Sequence, residues 1–458
     1  MTDFSEGVNE PEDTSCSCQR AFTHVTQELH VWNPESAMKL TSCPKVAYGR
    51  SVEPERTIER LESILGARYR YEMVEQRVSD YMYWTALFVD ELEFRSMGKG
   101  ITPVLSRAGA LAEAAEWLTA RETADLPGFV IAHQKDLANP LPIEELLAHV
   151  VTASQEVVEK VKASQCAHYW VDGESLITGK VLKVPIEYVR RIAGPNGVAS
   201  GNRIEEAILH ALNEIFERRA HITTLRRRMV VPTISQDSIR NPVIRSQIEF
   251  VKSRGIEVTI KDVSFGGALP CVGVYFRDPN IPEDYQFHHF FKVGASFDRE
   301  EALTRCFTEY AQGRRLDEFI EAKPEEQARV LRDDFRNLRC MDESCDNFLS
   351  AFMFGMVPLR RADFLLDGEV VDFDAGQPTG DCLEDIEMAL QIFRALDRDV
   401  IVVDLTGVDT GFPVVQVVAP GYSDVLPYHP ANSSILFRRL ERPEVLRSYD
   451  KRQMVEDA

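Results

Sequence analysis

Apolar residues recur with a helical period along much of the chain. From Pro54 the sequence Pro-Glu-Arg-Thr-Ile-Glu-Arg-Leu-Glu-Ser-Ile-Leu puts Thr57, Leu61 and Leu65 on one stripe, with proline near the start. The same period predicts long helices over Pro103–Arg121, about Ile204–Arg219, and Glu300–Arg314. Leu137–Ala163, punctuated by Pro140 and Pro142, predicts two more amphipathic helices. Between these lie shorter runs of strand character. Tyr81–Leu92 is aromatic and apolar, Gly255-Ile-Glu-Val-Thr-Ile260 reads as a strand, and Gly266-Gly267 makes a turn before a strand over Leu269–Phe276. Val400–Asp404 and Val414–Val418 are β-branched runs suited to buried strands. Alternating helices and strands imply an α/β or α+β class. No Gly/Ser-rich or Pro-rich linker divides the chain, so one multi-lobed unit is expected.

The ends are different in character. Residues 1–20 are acidic and polar and read as a disordered leader; 441–458 read as a short polar tail. The N-terminus has no apolar signal segment, and no run of about 18 apolar residues occurs. The expectation is a cytoplasmic protein with no membrane span. Lys plus Arg number 52 against 73 Asp plus Glu, a formal charge of −21. Such acidity excludes a protein that binds nucleic acid through its backbone phosphates. The compact basic cluster Arg226-Arg227-Arg228 reads as a solvated helix face or turn.

Nine cysteines stand at irregular spacing, which is no disulfide framework. Cys16 and Cys18 fall in the leader, and Cys340 and Cys345 lack the second pair that a structural zinc site needs. Most of the others sit in apolar contexts and read as core. His288-His289 between Phe287 and Phe290 reads as a strand end with one buried ring, with a metal role as the alternative.

The informative feature is a weak internal repeat on the three long helices. They carry Ala110-Leu-Ala-Glu113-Ala-Ala-Glu116, Ala211-Leu-Asn-Glu214-Ile-Phe-Glu217 and Cys306-Phe-Thr-Glu309-Tyr-Ala-Gln312. The first Glu recurs after 101 residues and again after 95. Gly100 and Gly201 precede Glu113 and Glu214 at matching distance. Glu at i and i+3 shares a helix face, where two carboxylates repel. Any one such pair reads as a solvated face. Three in matched, apolar contexts point instead to partial burial, which calls for a compensating charge. Magnesium fits, since it takes carboxylate oxygens together with nucleotide phosphate oxygens. The usual nucleotide motifs are absent: Gly98-Lys-Gly100 and Gly179-Lys-Val181 lack the phosphate-loop spacing, and no G-x-G-x-x-G precedes a helix. No G-x-S-x-G or HExxH motif occurs either.

At these residues the sequence resembles the YcaO family. The blocks are Ser96-Met-Gly-Lys-Gly-Ile-Thr102 with the helix to Glu116, and Ser200-Gly-Asn202-Arg-Ile-Glu-Glu206 leading to Glu217. They continue with Gly294-Ala-Ser-Phe-Asp298, Ala302-Leu-Thr-Arg305-Cys-Phe-Thr-Glu309, and Pro413 through Gly421-Tyr-Ser-Asp424. They stand in family order over a domain expected at 45–440. The resemblance implies a YcaO-like ATP-binding fold with repeated helix-plus-strand elements, using ATP and Mg2+. It implies that Glu113, Glu116, Glu214 and Glu217 hold magnesium. Arg50, Thr57, Ser200, Asn202, Glu206, Arg305 and Glu309 would contact the nucleotide, with Arg305 and Glu309 as the catalytic pair. Three departures from the family pattern are Arg50 for a lysine, Ala199 for a serine beside Ser200, and Gln416 for an arginine.

Two functions follow from the resemblance. One is Mg-ATP-dependent phosphorylation of a peptide amide oxygen, giving a thioamide or azoline in a peptide or protein substrate. The other is an ATP-binding accessory role in β-methylthiolation of a small-subunit ribosomal protein, through a sulfur-delivery or radical partner enzyme. The chain ends without the Pro-rich tail of azoline-forming members. The substrate, the nucleophile and the oligomeric state stay open, a two-fold dimer being common at this size.

Overall fold

A computed structural model describes residues 38–148, 158–159, 167–281, 287–314, 362–376 and 378–424. The leader 1–20, the tail 441–458, most of the second helix expected before Ala163, and Cys16, Cys18, Cys166, Cys340 and Cys345 lie outside these residues.

Three sheets and eight α-helices carry the described part. Helix α1 (Pro54–Gly66) buries Thr57, Leu61 and Leu65, the stripe read from the sequence. It precedes an antiparallel sheet of β1 (Glu72–Ser79), β2 (Met82–Val89) and β3 (Phe94–Gly100), on which α2 (Pro103–Leu118) packs. Next come β4 (Val130–Ala132), α3 (Ile143–Ala148), β5 (His168–Ser175), β6 (Val181–Val184), α4 (Ile186–Ala193) and β7 (Val198–Ser200). The long α5 (Ile204–Arg226) follows, then β8 (Thr233–Ile234), α6 (Pro242–Ser253), β9 (Glu257–Lys261), β10 (Cys271–Arg277), β11 (His289–Ala295) and α7 (Arg299–Arg314). The chain closes on β12 (Val370–Val371), α8 (Cys382–Ala395), β13 (Ile401–Asp404) and β14 (Val414–Val418).

One sheet runs β11-β10-β9-β8-β12 and another β4-β5-β13-β14-β7, with β6 paired to β5. Helix α5 lies between them, touching β14 and β7 on one side and β11 and β10 on the other. This position explains why it runs to Arg226 rather than to Arg219. Ala220, His221, Ile222, Thr224 and Leu225 are buried between the sheets, so the helix persists as far as its contacts do. Arg226 is its last residue, and the Arg228 guanidinium lies 4.7 Å over the Phe364 ring. Helix α2 stops earlier than expected, at Leu118, where the Arg121 N–H already bonds Leu405.

Two of the helices the pattern left unassigned, α6 and α8, carry ordinary start signals. Asn241 before Pro242 accepts from Val243 and Ile244, and Asp381 accepts from Leu383. Four of the cysteines, Cys43, Cys271, Cys306 and Cys382, are buried free thiols, as their apolar contexts predicted. His289 opens β11 and His288 is the buried ring. Among the described residues no helix is long and apolar enough to cross a membrane.

The repeat read from the sequence is a strand followed by a helix, used three times: β3–α2, β7–α5 and β11–α7. In two copies a glycine sits where strand backbone meets helix backbone. A Cβ on Gly98 would lie 2.0 Å from the Ser106 carbonyl oxygen, and one on Gly294 would lie 2.2 Å from that of Ala302. Each carbonyl is eight residues after its glycine. The close approach brings each helix's glutamate over the strand that precedes it.

Candidate functional site

The three helices converge on one cleft of about 490 Å3, which Tyr48, Gly49, Arg50, Val52, Pro54 and Thr57 also line. Arg50, Thr57, Glu113, Glu116, Ser200, Asn202, Glu206 and Arg305 all line it. Glu214, Glu217 and Glu309 are not on its wall. Glu217 is buried, Glu214 and Glu309 keep 25% of their side chains exposed, and the three are coupled electrostatically to Glu116, Glu113 and Arg305.

Helical spacing produces this arrangement. On α5 the residues Glu206, His210, Glu214 and Glu217 stand at i, i+4, i+8 and i+11, one face of the helix. On α7 the corresponding face carries Glu301, Arg305, Glu309 and Gln312. On α2 it carries Leu105, Gly109, Glu113 and Glu116. The N-terminal half of each face reaches the cleft, and the C-terminal halves of α5 and α7 supply Glu214, Glu217 and Glu309.

Around Arg50, Ser51 and Thr57 the contacts are polar and cross long stretches of sequence. Asn202 Nδ2 donates to Thr57 Oγ1 at 3.0 Å and to Glu206 Oε1 at 3.4 Å. Glu206 Oε2 accepts from the Ser51 N–H at 3.0 Å and from the Ser51 hydroxyl. Arg50 Nη1 lies 2.8 Å from His210 Nδ1 and 3.9 Å from Glu206. Burial lowers the Arg50 guanidinium from its ordinary value. Burial, with Arg50 and Arg305 nearby, holds His210 well below the usual histidine range, so the ring is neutral and accepts from Arg50. For Arg305, burial is outweighed by Glu217, Glu301, Glu309 and Glu214, which hold it firmly cationic.

The carboxylates divide into two sets. Burial raises Glu113, which accepts only the Met97 N–H at 3.0 Å. Burial also raises Glu214, which accepts the Gly197 N–H at 3.0 Å and has Arg218 at 3.6 Å. Glu116 is pushed well above the carboxylate range by burial and then by Glu214 and Glu113; hydrogen bonds from Ser200 offset this in part. Glu217 and Glu309 shift the other way. Burial opposes their charge, but Lys292 lies 2.7 Å from Glu217 and 2.6 Å from Glu309 and holds both ionised. Lys99, on the cleft wall, adds a second contact to Glu309 at 2.8 Å.

Sequence reasoning missed four of these residues. His210 and Glu301 could have been found, because each lies one turn from an assigned residue on the same helix face. Lys292 had a signal as well, a lone lysine inside the apolar run Phe290-Phe-Lys-Val293. Lys99 stood in a failed phosphate-loop match and in the block Ser96-Met-Gly-Lys-Gly-Ile-Thr102, with no role assigned to it. The departures Ala199 and Gln416 are buried on β7 and β14 and do not line the cleft. Among the described residues no three His, Cys, Asp or Glu side chains converge as a ready metal cage. The fit to a divalent cation rests instead on Glu116, a buried carboxyl crowded by two others.

The sequence and the fold match a known family. The sequence model described as YcaO cyclodehydratase, ATP- and Mg2+-binding, matches residues 97–423. The chain belongs to the YcaO family. Among relatives, it is 28% identical over 339 residues to an uncharacterised protein of Methanothermobacter thermautotrophicus, covering 71% of this chain and 80% of that one. It is 25% identical over 245 residues to the Escherichia coli "Ribosomal protein S12 methylthiotransferase accessory factor YcaO", covering 53% of this chain and 39% of that protein. Two solved structures share the fold. One, described as a heterocyclase in complex with substrate and cofactor, aligns with a TM-score of 0.61 at 19% identity, over 84% of this chain and 54% of that one. The other, YcaO from Methanopyrus kandleri bound with AMPPCP and Mg2+, aligns at 0.58 and 19% identity, over 85% and 99%.

Proposed function

We propose that this chain uses Mg-ATP to activate a peptide backbone amide by phosphorylating its oxygen. The observation that carries the proposal is the cleft itself, whose lining brings two guanidinium groups, Arg50 and Arg305, together with Glu113 and Glu116, carboxylates that repel one another. Arg50, Thr57, Ser200, Asn202 and Glu206 bind the nucleotide in this reading, and Glu113, Glu116 and Glu214 hold magnesium. The functional unit spans 45–440, because Arg50 and Thr57, although outside the family match, wall the same cleft.

The chemistry suits these groups. An amide oxygen is a poor leaving group, and its phosphate ester is a good one. Phosphoryl transfer needs positioning and charge neutralisation more than covalent help. Bound magnesium supplies charge neutralisation to the phosphates. Arg305, kept cationic by four glutamates, stabilises negative charge on the group in flight. Glu309 completes the site by holding Lys99 at the cleft wall. A peptide or protein is the co-substrate.

The test is calorimetric titration with ATP, with and without magnesium. Magnesium-dependent binding is expected in the wild type and lost in Glu113→Ala and Glu214→Ala; unchanged affinity in both variants would overturn the metal assignment. Arg305→Ala is expected to lower turnover by about 10²-fold or more while affinity changes less, because its contribution grows in the transition state. Equal losses in both would make it a ground-state phosphate binder.

The named accessory factor among the relatives favours a second reading, an ATP-binding partner for ribosomal-protein methylthiolation. Turnover stimulated by a peptide supports the first reading. Tight nucleotide binding with turnover that no peptide stimulates supports the second.

A further inference from the structure

In each of the three strand–helix repeats the first glutamate of the helix takes a partner 16 or 17 residues before it, on or beside the preceding strand. Glu113 takes the Met97 N–H, 16 residues before it. Glu214 takes the Gly197 N–H, 17 residues before it. Glu309 takes the ammonium of Lys292, also 17 residues before it, at 2.6 Å. A peptide N–H leaves a carboxylate's net charge in place, whereas an ammonium cancels it. Glu214 has Arg218 of its own helix at 3.6 Å, so the third repeat differs in drawing its cation from the preceding strand.

Lys292 is 3% exposed and also lies 2.7 Å from Glu217. It sits on β11, which pairs with β10 and packs against α7. Lys99 covers the other oxygen of Glu309 at 2.8 Å. Lys292 thus bridges the two carboxylates at the distances a bound cation would take, and Lys99 adds a second ammonium at Glu309. The remaining member of the pattern, Gln312, is already uncharged and donates to the Gly98 carbonyl.

We infer that Lys292, with Lys99, is a built-in cation that replaces a divalent metal at Glu217 and Glu309, so that metal is held only on the Glu113, Glu116 and Glu214 side of the cluster. Glu217 is then a counter-ion rather than a ligand. The inference rests on the Mg-ATP reading above, and it narrows which carboxylates serve that reading.

The experiment counts Mn2+ ions bound by the full chain with a non-hydrolysable ATP analogue, using the electron paramagnetic resonance signal of free Mn2+. Lys292→Met removes the ammonium and keeps the length of the side chain. It is expected to bind one more Mn2+ than the wild type, and Mn2+ should raise its melting temperature more than that of the wild type. A folded Lys292→Met with an unchanged count overturns the inference while leaving the Mg-ATP reading intact. If that variant does not fold, Glu217→Gln decides. An unchanged count supports the inference, and loss of one ion overturns it. A wild type that binds no Mn2+ with the analogue overturns the Mg-ATP reading and the inference together.

Discussion

Glu116→Gln will raise the melting temperature of the nucleotide-free protein and abolish magnesium-dependent ATP binding. In the folded state burial, and then Glu214 and Glu113, push the Glu116 carboxyl well above its ordinary range. An unfolded chain has no such pressure. Between the two titrations the folded protein holds a proton that the unfolded one has released. Stability therefore falls as pH rises through that window. Glutamine does not titrate, keeps the shape, and still accepts from Ser200. The gain over the wild type should be small at acid pH, grow as pH rises, and level off above the folded-state titration. Saturating Mg-ATP should flatten the wild-type profile and leave the variant's unchanged. Glu217 and Glu309 work in the opposite sense, since Lys292 holds both low; their contribution is present above the usual carboxylate range and is lost on acidification. Melting curves at several pH values, with and without Mg-ATP, measure all of this. A variant that melts with the wild type at every pH and keeps its magnesium dependence would show that Glu116 carries no buried charge.

Gly98→Ala is expected to have the largest purely structural effect. Its methyl carbon would stand 2.0 Å from the Ser106 oxygen and 2.2 Å from the Ala110 nitrogen, both backbone atoms of α2. No rotamer relieves such a contact, so α2 must move away from β3. That movement breaks the Ser96-to-Ala110 and Thr85–Ser106 hydrogen bonds and shifts Glu113 and Glu116 together. Overpacking of this kind costs about 1–3 kcal/mol and sometimes more. The expected result is a destabilised protein in which whatever remains folded binds ATP poorly. Gly66→Ala is the control, because its methyl meets nothing within 4 Å and should change neither property. Chemical denaturation and calorimetry on the two variants separate the outcomes. Equal stability in both would mean that the strand and helix slide past each other freely.

Legibility in the sequence followed the range of the interaction. The stripe on α1 and the faces of α2, α5 and α7 were readable because helical spacing is a local property. So was β14, whose bounds Val414–Val418 match the apolar run. Strand β1 was not, since most of its residues face solvent and leave little apolar pattern. The length of α5 was not readable either. Its last turns are polar in text, with His221, Thr223 and Thr224, and become helix because two sheets enclose them.

For the site, the sequence by itself determined the three glutamates at matched positions, Gly100 and Gly201 ahead of two of them, and Arg305 one turn before Glu309. These depend on spacings of a few residues, which covalent geometry converts directly into position. Only the tertiary structure decided what each charge meets. Arg50 reaches His210 from 160 residues away, Thr57 meets Asn202 across 145, and Lys99 meets Glu309 across 210. Desolvation and Coulomb energy depend on distance in space and on burial. Two glutamates identical in text, Glu116 and Glu217, therefore end with opposite tendencies: one is crowded by carboxylates and the other is bound to a buried lysine.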